Sequence, residues 1–195
     1  VYNSDTTITT GDGAKGVLFY SAQFEENSYA TSYIKNAGTA LGVTRVADTA
    51  TGSGNSTVIN SSEGVLFAEI SALSNGGSTR TISLNNGTSS VVVMIRYRSD
   101  INQIQYLIKD GINPDAGNIY TLADATQYSK IALKYKNTLI SLWVDGIEVI
   151  SSSASISLSN LNKLSFDDGG GSNPFHGKTK SVQVYTTALS DAELT

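Results

Sequence analysis

From Ser61 onward, short segments rich in Val, Ile, Leu and Tyr follow one another, each cut off by glycine, asparagine or aspartate. That rhythm is too short for helices and suits antiparallel strands joined by tight turns. GVLFAEIS (Gly64–Ser71) runs out before Asn75-Gly76-Gly77, and STRTISL (Ser78–Leu84) before Asn85-Asn86-Gly87. Both turns carry residues that tolerate positive φ, which tight hairpins require. SVVVMIRY (Ser90–Tyr97) and QIQYLIKD (Gln103–Asp110) continue the series, and a loop at Asn113–Gly117 leads to NIYTLA (Asn118–Ala123). KIALKYK (Lys130–Lys136) alternates cleanly, with Ile131, Leu133 and Tyr135 expected inward and Lys130, Ala132, Lys134 and Lys136 outward. It forms a meander with LISLWVDG (Leu139–Gly146) and IEVISS (Ile147–Ser152). The last elements are LNKLSFDDGGG (Leu161–Gly171), KTKSVQVYT (Lys178–Thr186) and ALSDAEL (Ala188–Leu194). In ALSDAEL, Ser190 can cap a short helix whose first turn holds Asp191 and Glu193, where acids favour the helix dipole. The series predicts an all-β fold: a two-sheet antiparallel β-sandwich of the jelly-roll kind with a short C-terminal helical turn.

Before Ser61 the texture differs. GVLFYSAQF (Gly16–Phe24) and YATSYI (Tyr29–Ile34) read as strands, whereas Lys35 to Asn60 is small, polar and Gly-rich. The expected organisation is therefore 1–34 as terminal strands of a preceding domain or an N-terminal extension, 35–60 as a linker that drapes without packing, and 61–195 as the sandwich. The chain opens at Val1 and not at a methionine, which predicts a processed or cut piece of something longer.

Charge and composition narrow the functions. The formal charge is −4, only 15% of residues are charged, and no basic stripe is present, so a phosphate-tracking role is not expected. The absence of cysteine removes disulfides, thiolate metal sites and cysteine nucleophiles together. Apolar runs are far shorter than the roughly 20 residues that cross a bilayer, so membrane insertion is not expected either.

Catalysis by a glycoside hydrolase needs two carboxylates about 5–10 Å apart across the sugar. Glu69 stands alone on its strand, Asp145 and Glu148 are separated by a turn glycine, and Glu25 and Glu26 are adjacent and point oppositely. His176 is the single histidine and no G-x-S-x-G elbow accompanies it. The expectation is a protein that is not an enzyme.

Sugar recognition generally takes an aromatic face together with amides, carboxylates or arginine for the hydroxyls. Tyr97, Tyr106 and Tyr120, at or near strand ends beside Arg98, Lys109 and Asn118, are the candidate binding surface, to which the loop residues Asp168 and Asn173 are added. Each tyrosine has an alternative role in packing. Trp143 shares a strand face with Ser141 and Asp145 and is read as a core or sheet-packing residue. Arg96 and Arg98 share the face opposite Tyr97, where they can meet an acidic glycan or the protein's own Asp100 and Asp110, self-pairing being the favoured reading. Asp167 and Asp168, followed by three glycines and Asn173, are candidate calcium ligands, since calcium takes six to eight oxygens and a Gly-rich loop can supply carbonyls. The alternative is a turn in which Asp and Gly serve loop geometry alone.

The closing stretch SFDDGGGSNPFHGKTKSVQVYTTALSDAEL (Ser165–Leu194) resembles the end of laminin G-like modules in the concanavalin A-like lectin/glucanase superfamily, and KIALKYKNTLISLWVDGIEV and GVLFAEIS…RTISLNNGT are similar to that superfamily's strands in the same order. The likeness covers roughly Thr44–Thr195. A second stretch, AQFEENSYATSYIKNAGTALGVTRVADTA (Ala22–Ala50), is similar to one that precedes such modules in phage tail, fibre and prophage proteins, with Phe24 for the usual Leu and Lys35 for the usual Pro. These resemblances imply a non-catalytic carbohydrate-binding or adhesion module of a larger phage tail, fibre or cell-surface protein. Its partner would be a glycan or cell-surface polysaccharide, and its location extracellular, cell-surface or virion. The rivals are a structural virion or fibre component without glycan binding, assembled as a homo-oligomer, and, more weakly, a polysaccharide-degrading enzyme.

Overall fold

The computed structural model describes residues 54–195 together with Tyr33 and Lys35. The chain divides into two compact units, Val1–Arg45 and Val46–Thr195. The strands expected at 16–24 and 29–34, and most of the 35–60 segment, lie outside the described residues.

Ten strands and one helical turn follow in order: β1 Glu63–Ala72, β2 Arg80–Asn85, β3 Val92–Tyr97, β4 Gln103–Lys109, β5 Ala116–Thr121, β6 Ser129–Lys136, β7 Leu139–Val144, β8 Ile147–Ser152, β9 Lys163–Ser165, β10 Gly177–Tyr185 and α1 Asp191–Leu194. They form two five-stranded sheets, β10-β1-β6-β7-β8 and β5-β4-β3-β2-β9, antiparallel in every pairing. The expected all-β sandwich with a C-terminal helical turn is the fold observed.

Local chemistry sets the register. Between β7 and β8 the two-residue turn Asp145-Gly146 has both residues at positive φ, +51° and +81°, which matches the twist of a tight hairpin. On β4 the residues alternate between half-buried and buried along QIQYLIK, the signature of a strand with one face in the core. The core between the sheets takes Leu66, Ala68 and Ile70 of β1, Leu133 and Tyr135 of β6 and Leu142 of β7 from one side, and Ile82, Leu84, Val93, Ile95, Ile104 and Ile108 from the other. Truncating any of these large aliphatics to alanine would cost about 2–5 kcal/mol. Ile59, in the segment read as a draping linker, is also buried in this core, so the end of that segment packs against the sandwich.

One end of the core is closed by a charge. Arg80 is 2% exposed, with its guanidinium over the Tyr97 ring at 5.7 Å. Its Nε donates to the Ser78 carbonyl, Nη1 to Ser74 and Nη2 to Gly76. A buried guanidinium is tolerated when its donors are answered in this way.

The outer face of the first sheet is not bare. Val65, Ala132 and Trp143 form a second buried cluster there, against which Phe67, Tyr185, Leu189 and Leu194 pack. Lys134, expected to point into solvent, is buried because the chain after β10 folds back over it and Asp191 Oδ1 meets its Nζ at 2.6 Å. The turn α1 is closed by the Glu193 carboxylate, which accepts from the Ser190 N–H at 2.8 Å. Trp143 has the packing role read for it, with Nε1 donating to Ser141 Oγ at 3.0 Å.

Candidate functional site

The outer face of the second sheet presents a different chemistry. Antiparallel register sets Thr81, Arg96, Gln105 and Ile119 in one row across β2, β3, β4 and β5, and directly paired residues share a face. Arg98, two residues beyond Arg96, projects to the same side. Gln105 Oε1 accepts from Arg96 Nε at 2.9 Å and from Arg98 Nη1 at 3.0 Å. Two guanidinium groups thus share one neutral oxygen.

Compensation of these charges is thin. Arg98 Nη2 reaches Asp100 Oδ2 at a long 3.4 Å, and Asp100 is itself exposed. Arg98 Nε is buried with no hydrogen-bond partner among the described residues. Burial first, then the Arg98 charge, pushes the Arg96 guanidinium below its ordinary pKa, while Asp168 pulls it back up. Arginine remains charged through shifts of this kind, so the row carries two positive charges at neutral pH.

Asp168 arrives from the loop between β9 and β10. That loop is fastened to β2 by Ser83 Oγ donating to the Asp167 carbonyl at 2.7 Å and by the Thr81 N–H donating to the Asn173 carbonyl at 3.0 Å. Gly169 is forced by geometry: its φ is +85°, and a Cβ there would fall 2.6 Å from the Thr88 carbonyl oxygen. The Asp168 carboxylate folds back on its own loop, Oδ1 accepting from the N–H of Gly170 and of Ser172, and Oδ2 from Asn173 Nδ2. Asp167 Oδ1 likewise accepts from the Gly169 N–H at 2.6 Å. Among the described residues, no group of three His, Asp or Glu side chains is placed to hold a metal ion.

Of the residues singled out from sequence, Arg98 meets Arg96 through Gln105, Asp168 acts on the Arg96 charge, and Asn173 is held to Asp168. Tyr97 and Tyr106 are not part of this surface: each is 1% exposed and lies in the core between the sheets. Tyr97 OH donates to the Ile70 carbonyl across the sandwich, and burial raises its pKa far above the ordinary tyrosine value. Tyr120 is half-buried and packs against the same core. The reading of Tyr97 and Tyr106 as a binding surface is corrected by alternation, since Tyr97 continues the Val93–Ile95 face and Tyr106 the Ile104–Ile108 face. Asp110 does not pair with the arginines. It accepts four hydrogen bonds from Ile112, Asn113 and Ser157 instead. Gln105, which organises the two guanidiniums, was missed; its signal was its even spacing from Gln103 and Leu107 on the face opposite Tyr106.

Isolated acids elsewhere are in use. Glu69 pairs with Lys180, and Asp145 Oδ1 accepts from the Lys130 N–H.

The family model of the laminin G type in the concanavalin A-like lectin/glucanases superfamily matches residues 48–195. No curated protein matches the sequence. Among solved structures, the carbohydrate-binding module CBM40 of the Ruminococcus gnavus IT-sialidase, bound to α2,3-sialyllactose, superposes with a TM-score of 0.59 at 18% identity over 72% of this chain and 89% of that one. The leech intramolecular trans-sialidase complexed with 2,7-anhydro-Neu5Ac gives 0.56 at 17% identity, over 69% of this chain but only 23% of the enzyme. The botulinum neurotoxin serotype G binding domain gives 0.55 at 10% identity, over 71% of this chain and 37% of that one. At these identities the likeness is one of fold. Taken with the two-sheet topology, the match over residues 48–195 means that the chain belongs to the concanavalin A-like lectin/glucanases superfamily.

Proposed function

We propose that this chain is a non-catalytic carbohydrate-binding module whose ligand is an acidic glycan, held on the outer face of the second sheet by Arg96, Arg98 and Gln105. The observation that carries the reading is the pair of half-buried guanidiniums converging on one neutral oxygen, with Arg98 Nε lacking an acceptor among the described residues. A carboxylate supplies two strong acceptors to such a fork, and charge-assisted bidentate contacts are both stronger and more selective than neutral ones. Sialyllactose, present with the CBM40 neighbour, carries one carboxylate of this kind. Exposed Ile119 in the same row offers an apolar surface for the sugar's C–H face.

A binding role without catalysis is supported by the dispersal of the acids: Glu69, Asp110 and Asp145 are each committed to a structural partner. The reading needs no calcium, because Asp167 Oδ1 and both Asp168 oxygens serve the loop's own N–H groups. The setting we propose is a larger phage tail, fibre or cell-surface protein, displayed outside the cell and serving adhesion or receptor binding. The Ala22–Ala50 likeness supports this, and solution mass of the full chain tests assembly into a homo-oligomer. No helix among the described residues is long and apolar enough to cross a membrane.

Calorimetric titration with 3′-sialyllactose and with lactose tests the ligand. Sialyllactose is expected to bind, lactose to bind at least about tenfold more weakly, and Arg98→Ala to lose about 10- to 100-fold, as charge-assisted hydrogen bonds are worth about 1.5–3 kcal/mol. Equal affinity for both sugars, or an unchanged affinity in Arg98→Ala, would remove the acidic-glycan reading.

A further inference from the structure

The outer face of the first sheet is concave. Register aligns Gln183, Phe67, Ala132 and Trp143 in one row across β10, β1, β6 and β7. Ala132 is the small member between two aromatic ones, so the row dips at its centre. The segment after β10, ending in α1, stands as a wall beside the dip and encloses a cleft of 460 Å³. That is within the roughly 300–1,000 Å³ of sites that take small ligands.

The lining is of two kinds. Phe67 and Tyr185, both half-buried, give the floor an apolar surface, and Trp143 lies against them. The rim is polar and of mixed sign: Lys130, Asp145 and Gln183 are all exposed. Asp145 Oδ1 is occupied by the Lys130 N–H, which holds that carboxylate in place while Oδ2 accepts nothing among the described residues. Lys130 Nζ makes no ion pair among them either, the five that form involving other lysines and Arg98. A ligand that suits this lining has one apolar face for the floor and both donors and acceptors at its edge. It needs no charge of its own, since Lys130 and Asp145 offset each other on the rim and the Glu193 carboxylate, also in the lining, is taken up by the Ser190 N–H and hydroxyl. Pyranose sugars have that construction: a C–H face that lies on aromatic rings and a belt of hydroxyls.

We infer that the cleft on the outer face of the first sheet, floored by Phe67 and Tyr185 and rimmed by Lys130, Asp145 and Gln183, is a second binding site that takes a neutral pyranose. It goes beyond the acidic-glycan reading and is independent of it, because the two sites lie on opposite outer faces of the sandwich. Together they would let one module engage an acidic residue and a neutral residue of separate glycan branches.

Trp143 is the only tryptophan in the chain, so its fluorescence reports on this cleft alone. The full chain is titrated with methyl β-galactoside, methyl β-glucoside and lactose. At least one of them is expected to give a saturable change. The double variant Lys130→Ala/Gln183→Ala, at two exposed positions where folding is not at stake, is expected to weaken it at least about tenfold. Ala132→Leu, which fills the floor, is expected to abolish it. Arg96→Ala/Arg98→Ala is expected to leave this response intact, and Lys130→Ala/Gln183→Ala to leave sialyllactose affinity intact. The inference is overturned if no neutral sugar gives a saturable change, if the change survives Lys130→Ala/Gln183→Ala, or if it disappears with the two arginines. Loss of sialyllactose binding in Arg98→Ala bears only on the acidic site, so the two claims fail separately.

Discussion

Replacing Asp110 by asparagine puts a measurable cost on the loop that joins β4 to β5. The Asp110 carboxylate is buried, with Oδ1 accepting from the N–H of Ile112 at 2.9 Å and of Asn113 at 2.7 Å. Its Oδ2 accepts from Asn113 Nδ2 and from the Ser157 N–H, each at 2.7 Å. The Ser157 bond is long-range and ties the segment after β8 to the β4–β5 loop. Asparagine keeps one oxygen and presents an NH₂ where the other stood, so two donors then face a donor. Losing two charge-assisted hydrogen bonds would cost about 3–6 kcal/mol if nothing moved, and hydration of the loop lowers this to about 3 kcal/mol. For a domain of this size that is a fall in Tm of about 6–12 °C.

The same site fixes a pH dependence. Burial by itself would raise the Asp110 pKa, but the four donors, Asn113 foremost, outweigh it and hold the carboxyl well below the usual carboxylate range. A folded-state pKa below the unfolded value of about 3.9 means a contribution that is whole above that pH and shrinks as pH falls through it toward the folded value. Urea denaturation followed by circular dichroism at about pH 7, 5 and 3 reads both effects. The gap between wild type and Asp110→Asn is expected to be equal at the two higher values and smaller at the lowest. A gap below about 0.5 kcal/mol at neutral pH, the size of an ordinary surface substitution, would refute the reasoning. A gap that does not narrow at low pH would refute the electrostatic part of it.

Two further outcomes follow from the same geometry. Tyr97→Phe is expected to cost about 0.5–1 kcal/mol in urea denaturation, because its 3.3 Å hydrogen bond to Ile70 is long and neutral. Neither Tyr97→Phe nor Tyr106→Phe should change sialyllactose affinity by calorimetry, and a large loss in either would return the tyrosines to the binding surface. Sialyllactose affinity measured with added calcium and again with a chelator is expected to be the same, since three of the four Asp167 and Asp168 carboxylate oxygens already accept from N–H groups of their own loop. Loss of binding on chelation would place a cation in that loop.

The strands were legible because alternation and turn chemistry are local. KIALKYK shows its inward face in three residues, and Asp145-Gly146 announces its hairpin without help from the rest of the chain. Alternation also placed Arg96 and Arg98 together and Tyr97 opposite. It further held the reason to reject Tyr97 and Tyr106 as ligand residues, since each extends a face made of Val, Ile or Leu. Long-range placement was not legible. Nothing near Lys134 in sequence says that Asp191 will cover it, and nothing near Arg96 says that Asp168 will approach from the β9–β10 loop. Both depend on which outer face a returning loop crosses, a choice made by the whole sandwich.

The account's central claim is that the outer face of the second sheet binds an acidic glycan. Its most direct test is amide chemical-shift mapping of the ¹⁵N-labelled chain during titration with 3′-sialyllactose. The account predicts shifts at Arg96, just past β3 at Arg98, at Gln105 on β4 and in the Asp167–Asn173 loop, all absent in Arg96→Ala/Arg98→Ala, whatever the lactose moiety does at the cleft on the first sheet. No shift at these residues at saturating sugar, or shifts in the Asp167–Asn173 loop that persist in Arg96→Ala/Arg98→Ala, would contradict it.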